Sequence, residues 1–213
     1  ALPRLSFADA GELRVCFLAL NQPFSSEEDN SGFDVDVATA VAVEMGRILS
    51  PVWVRNNDRI TEVDETDFPL HRLRTGACDA IFSVPGKDAM RGVDGLSIGR
   101  AYYGAAFQLV GRKETPPSSV RELEQQVVAV QAQTIASFVL EALDATMSTF
   151  FSAEEALEAV ARREASLAFV WGPTAGWHVK DNPEWGLVFG KKEPLVAARW
   201  NEHVATRQPD TAL

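Results

Sequence analysis

The chain has 213 residues, of which 46% are hydrophobic and 23% charged, a composition typical of a globular protein and not of a disordered one. Asp and Glu number 30 against 20 Lys and Arg, so the formal net charge is −10. Such a charge disfavours binding to nucleic acid or anionic lipid, and suits a soluble protein or one that docks on a basic partner. No apolar run approaches the ~20 residues of a membrane-spanning helix.

One pattern of elements occurs twice. Residues 12–85 and residues 126–172 each predict strand, helix, strand, helix, strand, and each third strand ends in a turn of small residues. Two such units predict two mostly parallel sheets flanked by helices. Open parallel sheets bind ligands beyond the carboxyl ends of their strands. We therefore expect two lobes that face each other across a closing cleft.

The first repeat opens with Leu13–Leu18, a nearly continuous apolar run typical of a buried parallel strand. A polar loop follows, and apolar residues then fall at helical spacing from Phe33 to Ile48. Asp34 and Asp36 lie in the first turn of this helix, where negative charge complements the helix dipole. The remaining predicted elements of this lobe are a strand from Val52, a short helix from about Phe68 to Gly76, and a long β-prone stretch from Arg100 to Lys113.

The second repeat follows Pro116-Pro117, which we interpret as the lobe boundary. Capping boxes at Ser119–Glu122 and Ser152–Glu155 predict two helix starts. The other predicted elements are strands at Val127–Gln131, Ser166–Trp171, Leu187–Phe189 and Pro194–Arg199, a helix from about Ile135 to Leu143, and a helix whose first turn contains Pro173.

The two cysteines fall on strands expected to be neighbours. Cys16 lies late in the first strand and Cys78 opens the third. In a flavodoxin-like strand order these strands are adjacent, so we predict a disulfide. Two buried free thiols are the alternative.

Catalytic and metal-binding patterns are weak. His71, His178 and His203 lack partner spacing, and no phosphate loop, nucleophile elbow or Cys-x-x-Cys occurs. The acidic run from Glu62 to Asp67 lacks the glycine of an EF-hand, so we interpret it as a solvated loop. We predict a protein that is not an enzyme and that has no cofactor or metal. An enzyme on this fold would need an acid or base such as Asp88 or His178.

Candidate ligand contacts follow the predicted strand ends: Asn21, Phe24, Ser83, Gly86, Asp88, Arg91, Tyr102, Tyr103, Gln131, Thr134, Trp171 and Trp177. Arg91 would take a carboxylate in two parallel hydrogen bonds, or would be a surface arginine at a helix end. Thr134 would donate to an anion, or would be a plain N-cap. The aromatic members would line a pocket or belong to the core.

Several of these residues resemble a known family. Gly32-Phe33-Asp34-Val35-Asp36, Asp79–Phe82, Arg91 and Tyr102-Tyr103 resemble bacterial extracellular solute-binding proteins of family 3, the polar amino-acid type. The resemblance implies that Arg91 grips a ligand carboxylate and that Thr134 assists from the other lobe. The acidic residue that holds the ligand's amine is replaced by Trp171-Gly172, which argues against amino-acid binding because an ammonium would lack its counter-charge.

A narrower group within that family is more similar. Val84-Pro85-Gly86, Arg100–Ala105, Val130–Ala136 and above all Phe169–Trp177 resemble the binding-protein-like partners encoded with pyrroloquinoline-quinone (PQQ) methanol dehydrogenases, the MxaJ and XoxJ type. This resemblance implies a periplasmic accessory protein in dehydrogenase maturation or activation. Ala1-Leu2-Pro3 at the start fits a mature protein after signal-peptide removal, or a trimmed chain.

Together these patterns predict a type II periplasmic-binding-protein (Venus flytrap) fold. Lobe one is expected at 1–110 plus 195–213, and lobe two at 111–194. The predicted partner is a PQQ-dependent methanol dehydrogenase. The alternative is an ABC-importer receptor for a small carboxylate. Such proteins usually finish with a helix on lobe one, for which Asn201–Leu213 is too polar.

Overall fold

The computed structural model describes residues 11–55, 68–85, 94–118, 120–132, 134–190 and 199–207. The chain divides into two compact units, unit 1 being Ala1–Gly104 with Asn201–Leu213 and unit 2 being Ala105–Trp200. The sequence-based expectation places these divisions at residues 110 and 195. Gly86, Asp88 and Arg91 lie outside the described residues, as do Glu62–Asp67 and Pro194–Ala198.

The described elements follow in chain order. They are β1 Glu12–Leu18, β2 Leu20–Asn21, β3 Ser25–Ser26, α1 Phe33–Glu44, β4 Ile48–Val54, α2 Pro69–Arg74, β5 Ala80–Pro85, β6 Leu96–Arg112, a 3-10 helix Val120–Glu124, β7 Val128–Gln131, α3 Ile135–Ala142, β8 Met147–Phe150, α4 Ala153–Ala161, β9 Leu167–Trp171, α5 Gly172–Asp181, a 3-10 turn Pro183–Trp185, β10 Leu187–Phe189 and β11 Arg199–Arg207. Among the described residues, no helix is long and apolar enough to cross a membrane.

Unit 1 is built on a sheet of order β4-β1-β5-β11-β6. β1 pairs in parallel with β4 and with β5, whereas β11 runs antiparallel to β5. Val15 and Phe17 of β1 pack with α1, and Cys16 between them packs with Leu73 of α2. β1 is therefore buried on both faces, which explains its unbroken apolar sequence.

Unit 2 has the same arrangement of strands and helices around its core. Its sheet has the order β8-β7-β9-β6-β10, with β7 parallel to both β8 and β9 and β6 antiparallel to β9. Leu157 and Val160 of α4 pack on one face, and Leu140 of α3 packs with Phe169 on the other. The strand order β4-β1-β5 of unit 1 thus recurs as β8-β7-β9, as the sequence repeat predicts.

Two predicted helix boundaries are wrong for identifiable reasons. α1 ends at Glu44 and not near Ile48, because Gly46 adopts a left-handed conformation (φ 66°) that terminates the helix. Pro51 lies inside β4, the outermost strand of the unit 1 sheet, where a missing N–H is tolerated. In unit 2, the element at the first capping pattern is only a 3-10 helix, Val120–Glu124. The predicted cap Ser119 lies outside the described residues, and the Ser118 hydroxyl donates to Glu122 (2.5 Å).

Candidate functional site

A pocket of about 240 Å³ opens in unit 1 at the carboxyl ends of β1 and β5. Most of its lining is apolar, with Phe17 and Leu18 from β1, Phe82 from β5 and Phe68 beside α2. Its polar side chains are those of Asn21, Ser25, Asp34 and Ser83. The pocket lies where an open parallel sheet is expected to bind a ligand.

Asp34 is the centre of a closed hydrogen-bonded ring at this pocket. Its side chain is buried, with the residue only 2% exposed. The Ser83 hydroxyl donates to Oδ2 (2.6 Å) and the Tyr102 hydroxyl donates to Oδ1 (2.7 Å). The Ser83 backbone N–H in turn donates to the Tyr102 hydroxyl (3.0 Å). We call these three residues the Asp34 ring.

The protonation of the ring follows from its burial. Burial raises the pKa of the Asp34 carboxyl, while the hydrogen bonds from Ser83 and Tyr102 act in the opposite direction. Burial, and then the Asp34 charge, raise the pKa of the Tyr102 hydroxyl well above its ordinary value. Tyr102 therefore keeps its proton and can act as a donor to Asp34.

The ring also accounts for a strained residue at the pocket. Ser83 has φ of 55°, in the left-handed region that non-glycine residues avoid. Its backbone N–H and its hydroxyl are both fixed by Tyr102 and Asp34. Strain of this kind persists only where surrounding contacts hold it, and it is concentrated at functional sites. The ring therefore holds Ser83 in this conformation near the end of β5.

The Gly32-Phe33-Asp34 sequence has a steric explanation. The N–H groups of Phe33 and Asp34 donate to the carbonyls of Pro23 and Phe24 (both 2.9 Å). This brings Gly32 so close that an added Cβ would lie 2.2 Å from the Phe24 carbonyl oxygen, at φ of 130°. Only glycine fits there. The glycine thus allows the start of α1 to approach the loop before it and to place Asp34 in the ring.

The aromatic candidates of unit 1 pack on one another. Phe24 is 2% exposed and contacts Tyr103 edge to face, with ring centroids 5.5 Å apart. Tyr102 stacks on Phe33 at 6.2 Å and meets Phe82 at 5.5 Å. Phe24 is therefore a core residue, which was the second of the two roles expected for the aromatic candidates. Asn21 remains at the pocket, where it lies in β2 and is partly buried.

The polar candidates of unit 2 also use their hydrogen bonds internally. The Thr134 hydroxyl donates to the Gln131 carbonyl (2.8 Å) and accepts from the Ser137 N–H (3.4 Å), while the Ser137 hydroxyl accepts from the Thr134 N–H (3.1 Å). Thr134 is thus the N-cap of α3 in a complete capping box. The Gln131 amide donates to the Phe151 carbonyl (3.2 Å). Both side chains stabilise local turns.

The tryptophan turn joins β9 directly to α5. Trp171 ends the strand and is also the helix N-cap, and its ring packs on Phe107 at 5.2 Å. A Cβ on Gly172 would lie 2.7 Å from the Ala106 carbonyl oxygen, so glycine is required at this helix start. Trp177 lies further along α5 and is 39% exposed. Trp171 therefore has a packing role, whereas Trp177 presents an aromatic surface.

Histidine and acidic side chains form no metal site in the described part of the chain, where no group of three or more potential ligands occurs. His178 is half-buried on α5, and burial lowers its pKa, although Glu154 and Asp181 oppose the shift. The disulfide prediction is confirmed. Cys16 and Cys78 are bonded, with their Cα atoms 5.7 Å apart and both residues buried.

Asp34 is the residue whose role sequence reasoning missed, since its position alone suggested only a helix-dipole contribution. Asp34, Val35, Ala38 and Ala42 are the buried residues of α1. The spacing of Asp34, Ala38 and Ala42 by four therefore carried the signal, because residues four apart share one helix face. A buried aspartate requires hydrogen-bond donors, and Ser83 and Tyr102 supply them.

The described geometry matches solved structures. No protein-family model matches this chain, and no curated protein matches it. The GluR0 ligand-binding core in complex with L-glutamate is 16% identical, with a TM-score of 0.74 and coverage of 95% of this chain and 87% of that one. A mutant of arginine-bound ArgBP from T. maritima is 25% identical, with a TM-score of 0.66 and coverage of 94% and 90%. The periplasmic VFT2 domain of BvgS from Bordetella pertussis is 20% identical, with a TM-score of 0.70 and coverage of 92% and 80%.

The chain has the Venus flytrap fold. This confirms the predicted fold class, and it follows from the coverage and TM-scores together with the two repeated α/β units. The structures it resembles are binding proteins and receptor domains. The ligand-contact roles predicted for individual residues remain predictions.

Proposed function

We propose that this chain is a periplasmic accessory binding protein, without enzymatic activity, that docks on a PQQ-dependent methanol dehydrogenase and supports its maturation or activation. The single observation that carries the proposal is that three of the described polar side chains expected to contact a ligand form hydrogen bonds within the protein. Ser83 and Tyr102 both donate to Asp34, and the Thr134 hydroxyl is used by the Gln131 carbonyl and the Ser137 N–H. A receptor for a charged solute needs such groups free for the ligand.

An exposed aromatic residue supports docking on a protein. Trp177 is 39% exposed on α5, within the Phe169–Trp177 stretch that carries the resemblance to the dehydrogenase partners. Tryptophan is enriched among the anchors of protein interfaces. The net charge of −10 would steer the chain towards a basic patch on the partner. The buried disulfide fits an oxidising compartment such as the periplasm.

The test is binding to the purified dehydrogenase, in apo and holo forms, by surface plasmon resonance at several salt concentrations. Association should slow as salt rises, because exposed charges are screened. Trp177→Ala should weaken binding by more than ~1 kcal/mol. Phe189→Ala is the matched control, since Phe189 is an aromatic residue of the same unit with 40% exposure. Absence of association with both forms at low salt would refute the partner.

A second candidate function is supported by the unit 1 pocket. An ABC-importer receptor for a small carboxylate would use that pocket, and the similar solved structures include complexes with glutamate and arginine. Calorimetric titration with polar amino acids separates the two candidates. We expect no binding, because Trp171-Gly172 supplies no carboxylate for an ammonium group. A micromolar dissociation constant for any amino acid would favour the receptor.

A further inference from the structure

A groove of about 620 Å³ runs along α2 in unit 1. Phe68 and Leu70 supply its apolar lining, while His71, Arg74 and Thr75 complete it. Phe68 is 51% exposed, so its ring offers apolar surface to a partner. The groove therefore combines an apolar contact area with basic side chains.

Three arginines concentrate positive charge at the end of this helix. Arg72 and Arg74 lie in the last turn of α2, and Arg207 at the end of β11 brings its guanidinium over Gly76, where Nη1 lies 2.9 Å from the position of an added Cβ. Arg72 Nε is buried and has no hydrogen-bond partner in the part of the chain that the structure describes. The sequence from Phe68 to Cys78 contains no Asp or Glu. Within the described residues, none of the three arginines has a carboxylate at salt-bridge distance.

Three other arginines of the described chain have carboxylate partners. Carboxylate partners exist for Arg14 with Asp79, Arg55 with Glu27 and Arg162 with Glu158. Arg72, Arg74 and Arg207 thus form a positively charged group without a carboxylate partner among the described residues, on a chain with net charge −10. A guanidinium recognises a carboxylate through two parallel hydrogen bonds. The surface is complementary to carboxylates that flank an apolar side chain.

We propose that this groove docks a short acidic segment of a partner protein. One carboxylate would bind Arg74 in the groove, another would bind Arg207, whose guanidinium lies over Gly76, and an apolar side chain would pack on Phe68. The surrounding charge selects a short segment. A nucleic acid or an anionic membrane would extend beyond the groove over a predominantly acidic protein and would be repelled there. This surface belongs to unit 1, whereas Trp177 belongs to unit 2, and the inference goes beyond the proposed function.

The probe is a fluorescein-labelled peptide of Glu-Glu-Phe repeats, titrated with the full chain and followed by fluorescence anisotropy. The double variant Arg74→Glu with Arg207→Glu should weaken binding by about tenfold or more, because carboxylates would face like charges. Arg100→Glu with Lys180→Glu is the matched control, with the same change in net charge at exposed positions. The control should bind within about twofold of the wild type, since neither residue lines the groove and exposed charges are screened by salt. Circular dichroism of both variants checks that they fold.

Phe68→Ala supplies an independent readout. It should reduce affinity for the Glu-Glu-Phe peptide to that of an all-Glu peptide, while leaving the all-Glu peptide unaffected. Equal affinity of the wild type and the charge-reversed groove variant would overturn the proposal, as would an equal loss in the control variant. Binding of inorganic phosphate, an oligonucleotide or phosphatidylserine vesicles that displaces the peptide and is lost in the groove variant would also overturn it, in favour of a general anion site.

Discussion

Removing the Tyr102 hydroxyl tests whether the Asp34 ring holds unit 1 together. In Tyr102→Phe the aromatic ring stays in place against Phe33 and Phe82, with centroids at 6.2 and 5.5 Å, so packing is retained. What is lost is one donor to the buried Asp34 carboxylate and the acceptor of the Ser83 N–H. The substitution therefore isolates two hydrogen bonds.

The expected loss of stability is about 3 kcal/mol. A hydrogen bond to a charged group contributes roughly 1.5–3 kcal/mol, and a buried N–H left without an acceptor costs roughly 1–3 kcal/mol. The expected loss is smaller than the sum of these two upper limits, because Ser83 is only partly buried and water can accept a hydrogen bond from its N–H. Ser83 also keeps its own hydroxyl bond to Oδ2 of Asp34.

Urea unfolding followed by circular dichroism at neutral pH measures this loss, provided that the slope of the transition is unchanged. Thr39→Ala is the control, since it also removes a hydroxyl, in this case that of an exposed residue of α1 that donates to the Val35 carbonyl. The control should change stability by less than about 0.5 kcal/mol. A Tyr102→Phe protein within that same margin of the wild type would refute the view that the ring stabilises unit 1.

Three further predictions concern other parts of the chain. Thiol titration of the unfolded, non-reduced protein should detect no free thiol, and replacing Cys16 and Cys78 by Ala should lower stability by about 4 kcal/mol for a sequence separation of 62; two reactive thiols would contradict this. The folded-state pKa of Asp34 is raised, so the native state binds the carboxyl proton more tightly than the unfolded state does. The stability that this proton binding contributes is present below pH 3.8 and is lost as the pH rises through the raised pKa. In urea titrations, the difference in unfolding free energy between the wild type and Asp34→Asn should therefore decrease across that pH window. An increasing difference would show that the hydrogen bonds lower the pKa of Asp34 by more than burial raises it. Gly172→Ala should destabilise unit 2 by roughly 1–3 kcal/mol in thermal unfolding, because the added Cβ would meet the backbone of Ala106. Gly176→Ala on the same helix has open space around its Cβ and should be neutral or stabilising. Similar effects of the two substitutions would argue against the steric account.

Sequence reasoning succeeded where the signal is local. The apolar run of β1 and the capping pattern at Ser152 each depend on nearby residues, and they predict elements that the structure contains. The repetition of these elements then restricted the topology, because a parallel unit allows few strand orders. The disulfide followed from that order, since it placed β1 and β5 side by side.

The site was predicted less well, because polar side chains can be satisfied by partners that are distant in sequence. Thr134 carries the same local signal whether it binds a ligand or caps α3, and only the contacts with Ser137 show the cap. Phe24 likewise fits a pocket or a core until its burial is known. Hydrophobic and aromatic patterns do not distinguish the two surroundings.

By itself, the sequence determined the alternation of strands and helices and the repeated parallel units, because hydrophobic period and turn chemistry act over a few residues. The tertiary structure alone decided which groups satisfy Asp34. Tyr102 is 68 residues away and Ser83 is 49, and their meeting depends on the folding of β5 and β6 into one sheet beside α1. A buried carboxylate must find donors somewhere, but which donors reach it is fixed by packing, and packing is a property of the whole unit.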